Sequence, residues 1–484
     1  MPARPTASET IHQRLPHPVI DADGHYVEFM PVLTRYLREE GVSPEDIFTG
    51  PIALGAGTMH AAGLSDAERA KIRATRSPWW ATPAENTLDF ATATFPALFQ
   101  ERLDELGIDF AVMYGSASLV YPQLQDDRTR VAACRAANRY AADAFGDYGH
   151  WMRPTAVVPM HTPEEAIEML EFATGELGYK AAVIAGWVER PVEEVAGGPH
   201  NVWWDTFGLD SVHDYDPFWQ RCVDLGVSIT SHSPSMGIGF RRSLSNYMHN
   251  HIGHFAAAGE ALAKSLFFGG VTRRFPDLRV GLLEGGVHAG VGLYADLIAR
   301  WEKRNIEDVM RYDPQRIDTQ LFGELFEKYG GKLKERMAET PVDLASWAQQ
   351  GPFDDFSGLG IESAEDIRDL FVPHFYFGCE ADDPMTATAF DRDRIPLGAS
   401  VGAMFSSDVG HWDVPDMTEV LEEAYENVDK GWLDESQFRD FVFGNVARFY
   451  TDTNPEFFAG TAVAEPVAEF LKTEAAGGPA SAGR

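Results

Sequence analysis

Five short stretches of this chain carry side chains able to hold a cation or move a proton. In Val19-Ile20-Asp21-Ala22-Asp23-Gly24-His25, two carboxylates and an imidazole stand at alternate positions. Strand side chains alternate faces with period 2, so as the end of a β-strand this stretch would turn Asp21, Asp23 and His25 to one side. That is half of a divalent-metal site, and later segments must supply the rest. Four others qualify: His232 before Ser233-Pro234, Glu284 before Gly285-Gly286, Glu380 after Cys379, and Asp408 after Ser406-Ser407. Each closes an apolar run and precedes turn residues. Singly, each is equally a hydrogen-bonded strand end, and Glu284 equally a salt-bridged one.

The elements that must position these residues alternate. Short apolar runs are expected to be buried strands at 19–25, 108–114, 155–159, 180–185, 227–231, 279–283, 374–378 and 400–405. Helical spacing lies between them at 95–106, where Gly107 is a C-cap, and at 126–148. A helix opened by Thr162-Pro163-Glu164-Glu165 runs to Gly178, and others span 218–225, 247–269, 417–428 and 435–450. Eight strand–helix units predict an α/β fold, a distorted (β/α)8 TIM barrel with long loop insertions, in which strand ends meet at one mouth. A doubly wound open sheet is the rival pattern, but no Gly-x-Gly-x-x-Gly follows any strand. The expected organisation is an N-terminal extension (1–17), a barrel (18–460) with insertions at about 29–94 and 303–372, and a partly disordered tail (461–484). The stretch 186–216 is expected to be a loop, and the charged, helical excursion from Tyr294 to Leu370 an oligomer arm, making a dimer reasonable.

Composition narrows the function classes. The 484 residues are 44% hydrophobic and 12% aromatic, enough for a large core. Net charge is −34, from 74 acidic against 40 basic residues, which argues against partnership with nucleic acid or an anionic membrane. Three cysteines without a Cys-x-x-Cys spacing make a disulfide framework or thiolate zinc site improbable. No apolar leader is visible and no 18-residue apolar run occurs, so a cytoplasmic protein acting on a small molecule is expected.

Several of these stretches together carry a resemblance. The array from Val19 to Glu28, Asn250-His251, Arg274-Phe275-Pro276-Asp277-Leu278-Arg279 with Leu283-Glu284-Gly285-Gly286, Ser406-Ser407-Asp408 and Gly444-Asn445-Val446-Ala447-Arg448-Phe449-Tyr450 resemble the amidohydrolase-related family. That family includes aminocarboxymuconate-semialdehyde decarboxylase, resorcylate-type decarboxylases and some C–C hydrolases. The resemblance implies a distorted barrel with one divalent ion held by Asp23, His25, His232 and Asp408. Zn2+ is the first expectation, with Mn2+ and Fe2+ open. Asp23 matches the first histidine of the family's first-strand His-x-His. Glu284 matches a sixth-strand histidine that serves as base in the decarboxylase branch, and this departure tilts the reading toward a hydrolase acting through metal-activated water on an aromatic or carboxylate-bearing substrate. Asp408 and Glu284 are then the expected catalytic residues. A non-oxidative aromatic or enoic acid decarboxylase on the same site is the alternative, and an inactive scaffold a third reading. For substrate contacts the candidates are Asn250, His251, His411, Arg241 and Trp80, with His254, His288 and Arg242 behind them. Trp79, Trp203 and Trp204 could add an aromatic wall or simply pack under their loops.

Overall fold

Parallel strands buried on both faces account for the continuous apolar runs. The computed structural model describes residues 5–43, 47, 65–73, 75–76, 85–192, 202–232, 235–336 and 354–476. Its parallel strands are β1 (Ile20–Tyr26), β2 (Phe110–Gly115), β3 (Met152–Pro154), β4 (Ala156–Val158), β5 (Ala181–Ile184), β8 (Ser228–Ser231), β9 (Val280–Leu282), β10 (Phe375–Cys379) and β11 (Gly402–Phe405). They form two ladders, β1-β2-β3 and β4-β5-β8-β9-β10-β11. Segments β3 and β4 are one strand interrupted at Thr155, so the two ladders are one run of eight barrel strands in chain order. Each predicted strand is present, and the fold is the TIM barrel of the expectation.

No ladder joins β11 to β1 among the described residues. Two backbone hydrogen bonds bridge this seam instead: Asp408 N–H donates to Asp23 O at 3.0 Å and His25 N–H to Val409 O at 2.9 Å. Asp21 holds it from the side. Its Oδ1 accepts from Ser407 N at 2.9 Å and its Oδ2 from Ser407 Oγ at 2.6 Å. At Gly24 a Cβ would sit 2.7 Å from Asp21 Oδ2, so only glycine lets that carboxylate reach across. The opposite end is closed by the helix Asn445–Thr451, whose Asn445 Nδ2 donates to Ala403 O at 2.7 Å and whose Phe449 ring meets Tyr376 at 5.2 Å.

Helix ends follow the local chemistry. Thr162 caps Pro163–Leu177 through Glu165 N–H, and Gly178 ends it at φ 78°. Two elements differ from expectation. The helix predicted over 247–269 is broken at Gly253 (φ 74°) into Tyr247–His251 and His254–Phe268. The loop predicted over 186–216 contains an antiparallel hairpin of β6 (Val188–Pro191) and β7 (Val202–Asp205). Trp203 and Trp204 are both paired in it, so their types gave strand propensity without the alternation that marks a strand.

The chain divides into two compact units, Met1–Leu293 with Arg368–Arg484, and Tyr294–Ile367. In the second, Asp318 caps the helix Thr319–Tyr329, on which Leu321, Phe322, Leu325 and Tyr329 are exposed. No helix among the described residues is long and apolar enough to cross a membrane.

Candidate metal centre

Four strand ends bring their donors to one point. His25 Nε2, from β1, is its hub: it lies 3.3 Å from Asp23 Oδ1, 3.2 Å from His232 Nε2, 3.5 Å from Glu284 Oε1 and 3.4 Å from Asp408 Oδ1. His232, directly after β8, also approaches Glu284 Oε1 at 2.7 Å. His411, three residues past Asp408, stacks on the His25 ring with centroids 3.6 Å apart, its Nδ1 2.6 Å from Asp408 Oδ1 and 3.2 Å from Glu284 Oε1. Two overlapping donor sets result, Asp23/His25/His232/Glu284 and His25/Glu284/Asp408/His411. Tyr114, in β2, lies beneath, its ring 5.9 Å from His25 and 6.3 Å from His232.

The backbone is bent to make this convergence. Glu284 (φ 54°) and Asp408 (φ 53°) are in the left-handed region, which costs a non-glycine residue on the order of 1–3 kcal/mol. Gly410 (φ 95°) carries the loop onward, and a Cβ there would meet His25 O at 2.6 Å.

These residues fit a divalent ion. Both carboxylate oxygens of Asp23 and both of Asp408 are buried without a hydrogen bond; the close His411 contact to Asp408 lacks hydrogen-bond geometry. Buried oxygens in that condition are destabilising unless a cation neutralises them. Donor separations of 2.7–3.5 Å are those of atoms sharing one ion at bond lengths of about 2.1 Å. The protonation states record the same conflict. Burial pushes the Asp23 carboxyl up to about 7, against the opposing His232 charge. Burial, and then Glu284 and Asp413, hold the Asp408 carboxyl well above the usual range. Burial pushes His25 down to about 4, with His411 acting the same way. Burial would raise Glu284 too, but the His232 charge and hydrogen bonds from His232, His25 and His411 outweigh it and keep that carboxylate ionised.

The other candidates separate. His251 is at the rim, its ring 5.2 Å from Tyr247 and 5.4 Å from Trp412. Asn250 is not available to a substrate: it is fully buried, its Oδ1 accepting from Ser243 N and its Nδ2 donating to Ser243 O and Arg76 O, so its amide is used up in holding a loop. His254 is buried, accepting from Ser235 N at 3.2 Å, and His288 is exposed. Arg241 lines a different cavity with Trp203 and Trp204. Trp79 and Trp80 lie outside the described residues. Asp21 is not in the donor cluster; a register shift between Asp21 and Gly24 turns it to the seam. Sequence reasoning missed Asp413 and Tyr114, and gave Glu380 no role. Asp413 faces Asp408, and burial, then Asp413 and Glu284, push the Glu380 carboxyl up to about 9. The alternation Asp408-x-x-His411-x-Asp413 was the available signal.

The sequence profile of the amidohydrolase family matches residues 20–308, more than half of the chain. The chain belongs to the amidohydrolase family. Among solved structures, an amidohydrolase from Mycobacterium avium subsp. paratuberculosis is similar with a TM-score of 0.51 and 17% identity, over 90% of this chain and 98% of that one. A dihydroxybenzoic acid decarboxylase from a Polaromonas species, solved with bound manganese and the inhibitor 2-nitroresorcinol, is similar with a TM-score of 0.50 and 16% identity, over 90% of this chain and 97% of that one. At such identities the likeness is one of fold. In this family member the strand-end donors gather at the mouth of the barrel.

Proposed function

We propose that this protein is a metal-dependent, non-oxidative decarboxylase of a hydroxylated aromatic carboxylate, with Asp23, His25, His232 and Asp408 as the ligands and Glu284 as a further donor. The observation that carries the reading is the place of Asp408: a buried carboxyl just past β11, its Oδ1 3.4 Å from His25 Nε2, within a cluster of cation donors. The fold likeness to the Polaromonas decarboxylase supports it. Three carboxylates beside the imidazoles make a harder donor set than zinc requires, so Mn2+ is our choice over the zinc first expected. An ion held by these residues would supply Lewis-acid neutralisation of the substrate's negative charge.

The chain's own residues then do the proton work. Asp408 gives its proton to the ring carbon that bears the carboxylate, with the Asp413 carboxylate nearby to favour the protonated acid beforehand. The carbon–carboxylate bond breaks, its electron pair restores the aromatic ring, and CO2 leaves. Tyr114 and the imidazole rings of His25 and His411 exclude water from the floor. Hydrolysis, the reading first drawn from the residues, stays second because Glu284, ionised beside the same donors, is placed to take a proton from water.

A panel of hydroxybenzoates with the Mn2+-loaded enzyme separates the two. The proposal expects CO2 release and one solvent deuterium at the vacated ring carbon in D2O. Incorporation of 18O from labelled water into product, without CO2, would overturn it in favour of hydrolysis.

A further inference from the structure

A second cavity, of about 490 Å3, lies between the β6–β7 hairpin and the helix His254–Phe268. None of the metal-donor side chains lines it. Its walls include Trp187, Trp203, Trp204, Leu209, Ile238 and Phe268, a mainly apolar surface with aromatic rings that can pack against a planar ligand. The volume falls in the roughly 300–1,000 Å3 of small-molecule sites.

Three charged side chains also reach the wall: Lys264, Asp210 and Arg241. Lys264 is paired with Glu260, Nζ to Oε1 at 2.8 Å. Arg241 is half-buried, and its guanidinium has neither an acid partner nor a hydrogen bond among the described residues. On a chain of net charge −34, a guanidinium beside apolar rings is a local exception to the field around it.

We propose that this cavity is a second small-molecule site, separate from the metal centre, that takes a planar aromatic carboxylate, its ring among the tryptophans and its carboxylate on the Arg241 guanidinium. Guanidinium and carboxylate form paired, charge-assisted hydrogen bonds, which gives the site a preference for acids over neutral rings of the same shape. The proposal does not depend on the decarboxylase reading, since no metal and no turnover enter it.

The test is titration of the full-length holoenzyme with 2-naphthoate, read by tryptophan fluorescence and calorimetry, and repeated after EDTA treatment with circular dichroism confirming the fold. Saturable binding of one naphthoate per chain is expected after EDTA treatment, and of at least one before it. The neutral 2-naphthamide should bind at least roughly tenfold more weakly, and Arg241→Met should weaken naphthoate by a similar factor while leaving the metal content unchanged. Arg241→Lys, which keeps the charge, should recover part of the loss. Absence of saturable binding, loss of binding on chelation in folded protein, or an Arg241→Met affinity equal to wild type would each overturn the site. If chelation unfolds the chain, the Arg241→Met and naphthamide comparisons on holoenzyme decide.

Discussion

At Asp408 backbone strain and carboxylate burial coincide in one side chain, with φ at 53° and both oxygens lacking hydrogen bonds. Without a role in the site, selection for stability would favour replacing it. Asp408→Asn keeps the side-chain shape, tolerates the left-handed backbone and removes the charge. We expect this variant, with metal chelated, to be as stable as the wild type or more stable by about 1 kcal/mol in urea unfolding. Its CO2 release should fall by roughly 10²–10⁴-fold, the usual range for a lost general acid. A variant that is both less stable and normally active would remove Asp408 from the site. A second residue-scale expectation concerns His161, buried with neither ring nitrogen hydrogen-bonded and pushed down to about 3 by burial and then by Arg130 and Arg190. Unfolding frees it to bind a proton, so between about pH 6.5 and 3 the unfolded state binds more protons and His161 costs stability as pH falls. The stability difference between His161→Phe and wild type should therefore shift toward the variant from pH 7 to pH 5. A gap independent of pH would show that His161 is accessible to protons in the folded chain.

Among the elements, the seam between β1 and β11 decides whether Asp23 and His25 face Asp408. Asp21 sets that seam by accepting from both the backbone and the hydroxyl of Ser407, which in turn accepts from Val409 N. Asp21→Ala takes the acceptor from three buried donors, Asp23 N–H, Ser407 N–H and Ser407 Oγ–H, so a loss of roughly 2–4 kcal/mol is expected in urea unfolding. Metal affinity should also drop by about 10–100-fold, as for other groups that orient ligands from behind. Unchanged metal affinity in a folded Asp21→Ala protein would confine Asp21 to holding the barrel shut. This role was not legible in the sequence, because period-2 alternation assigned Asp21 to the same face as Asp23 and His25 and gave no sign of the register shift. The strands themselves were legible, since apolar runs ending in His-Ser-Pro, Glu-Gly-Gly or Ser-Ser-Asp mark buried parallel strands and their turns. The β6–β7 hairpin was not, because adjacent tryptophans hide the alternation. The position of Asn250 in sequence pointed to the mouth, yet only its hydrogen bonds reveal that a loop has claimed it.

Over the whole molecule, length left one domain or several open, and the eightfold alternation identified the barrel, while the boundary at Tyr294–Ile367 emerges only from which residues pack together. The net charge of −34 concentrates its cost at the mouth, where Asp23, Glu284, Asp408, Asp413 and Glu380 repel one another. A divalent ion relieves that repulsion only in the folded state. Mn2+ at a thousand times its Kd should thus raise the unfolding free energy by about 4 kcal/mol over EDTA-treated protein. Manganese without effect on urea unfolding would mean that the carboxylates settle their charge by protonation. The most direct measurement is anomalous diffraction at the manganese edge from crystals grown with Mn2+. A single peak within about 2.0–2.4 Å of donors from Asp23, His25, His232 and Asp408 is the predicted result. A map with no peak among these four residues, or a peak held by other side chains, would contradict it.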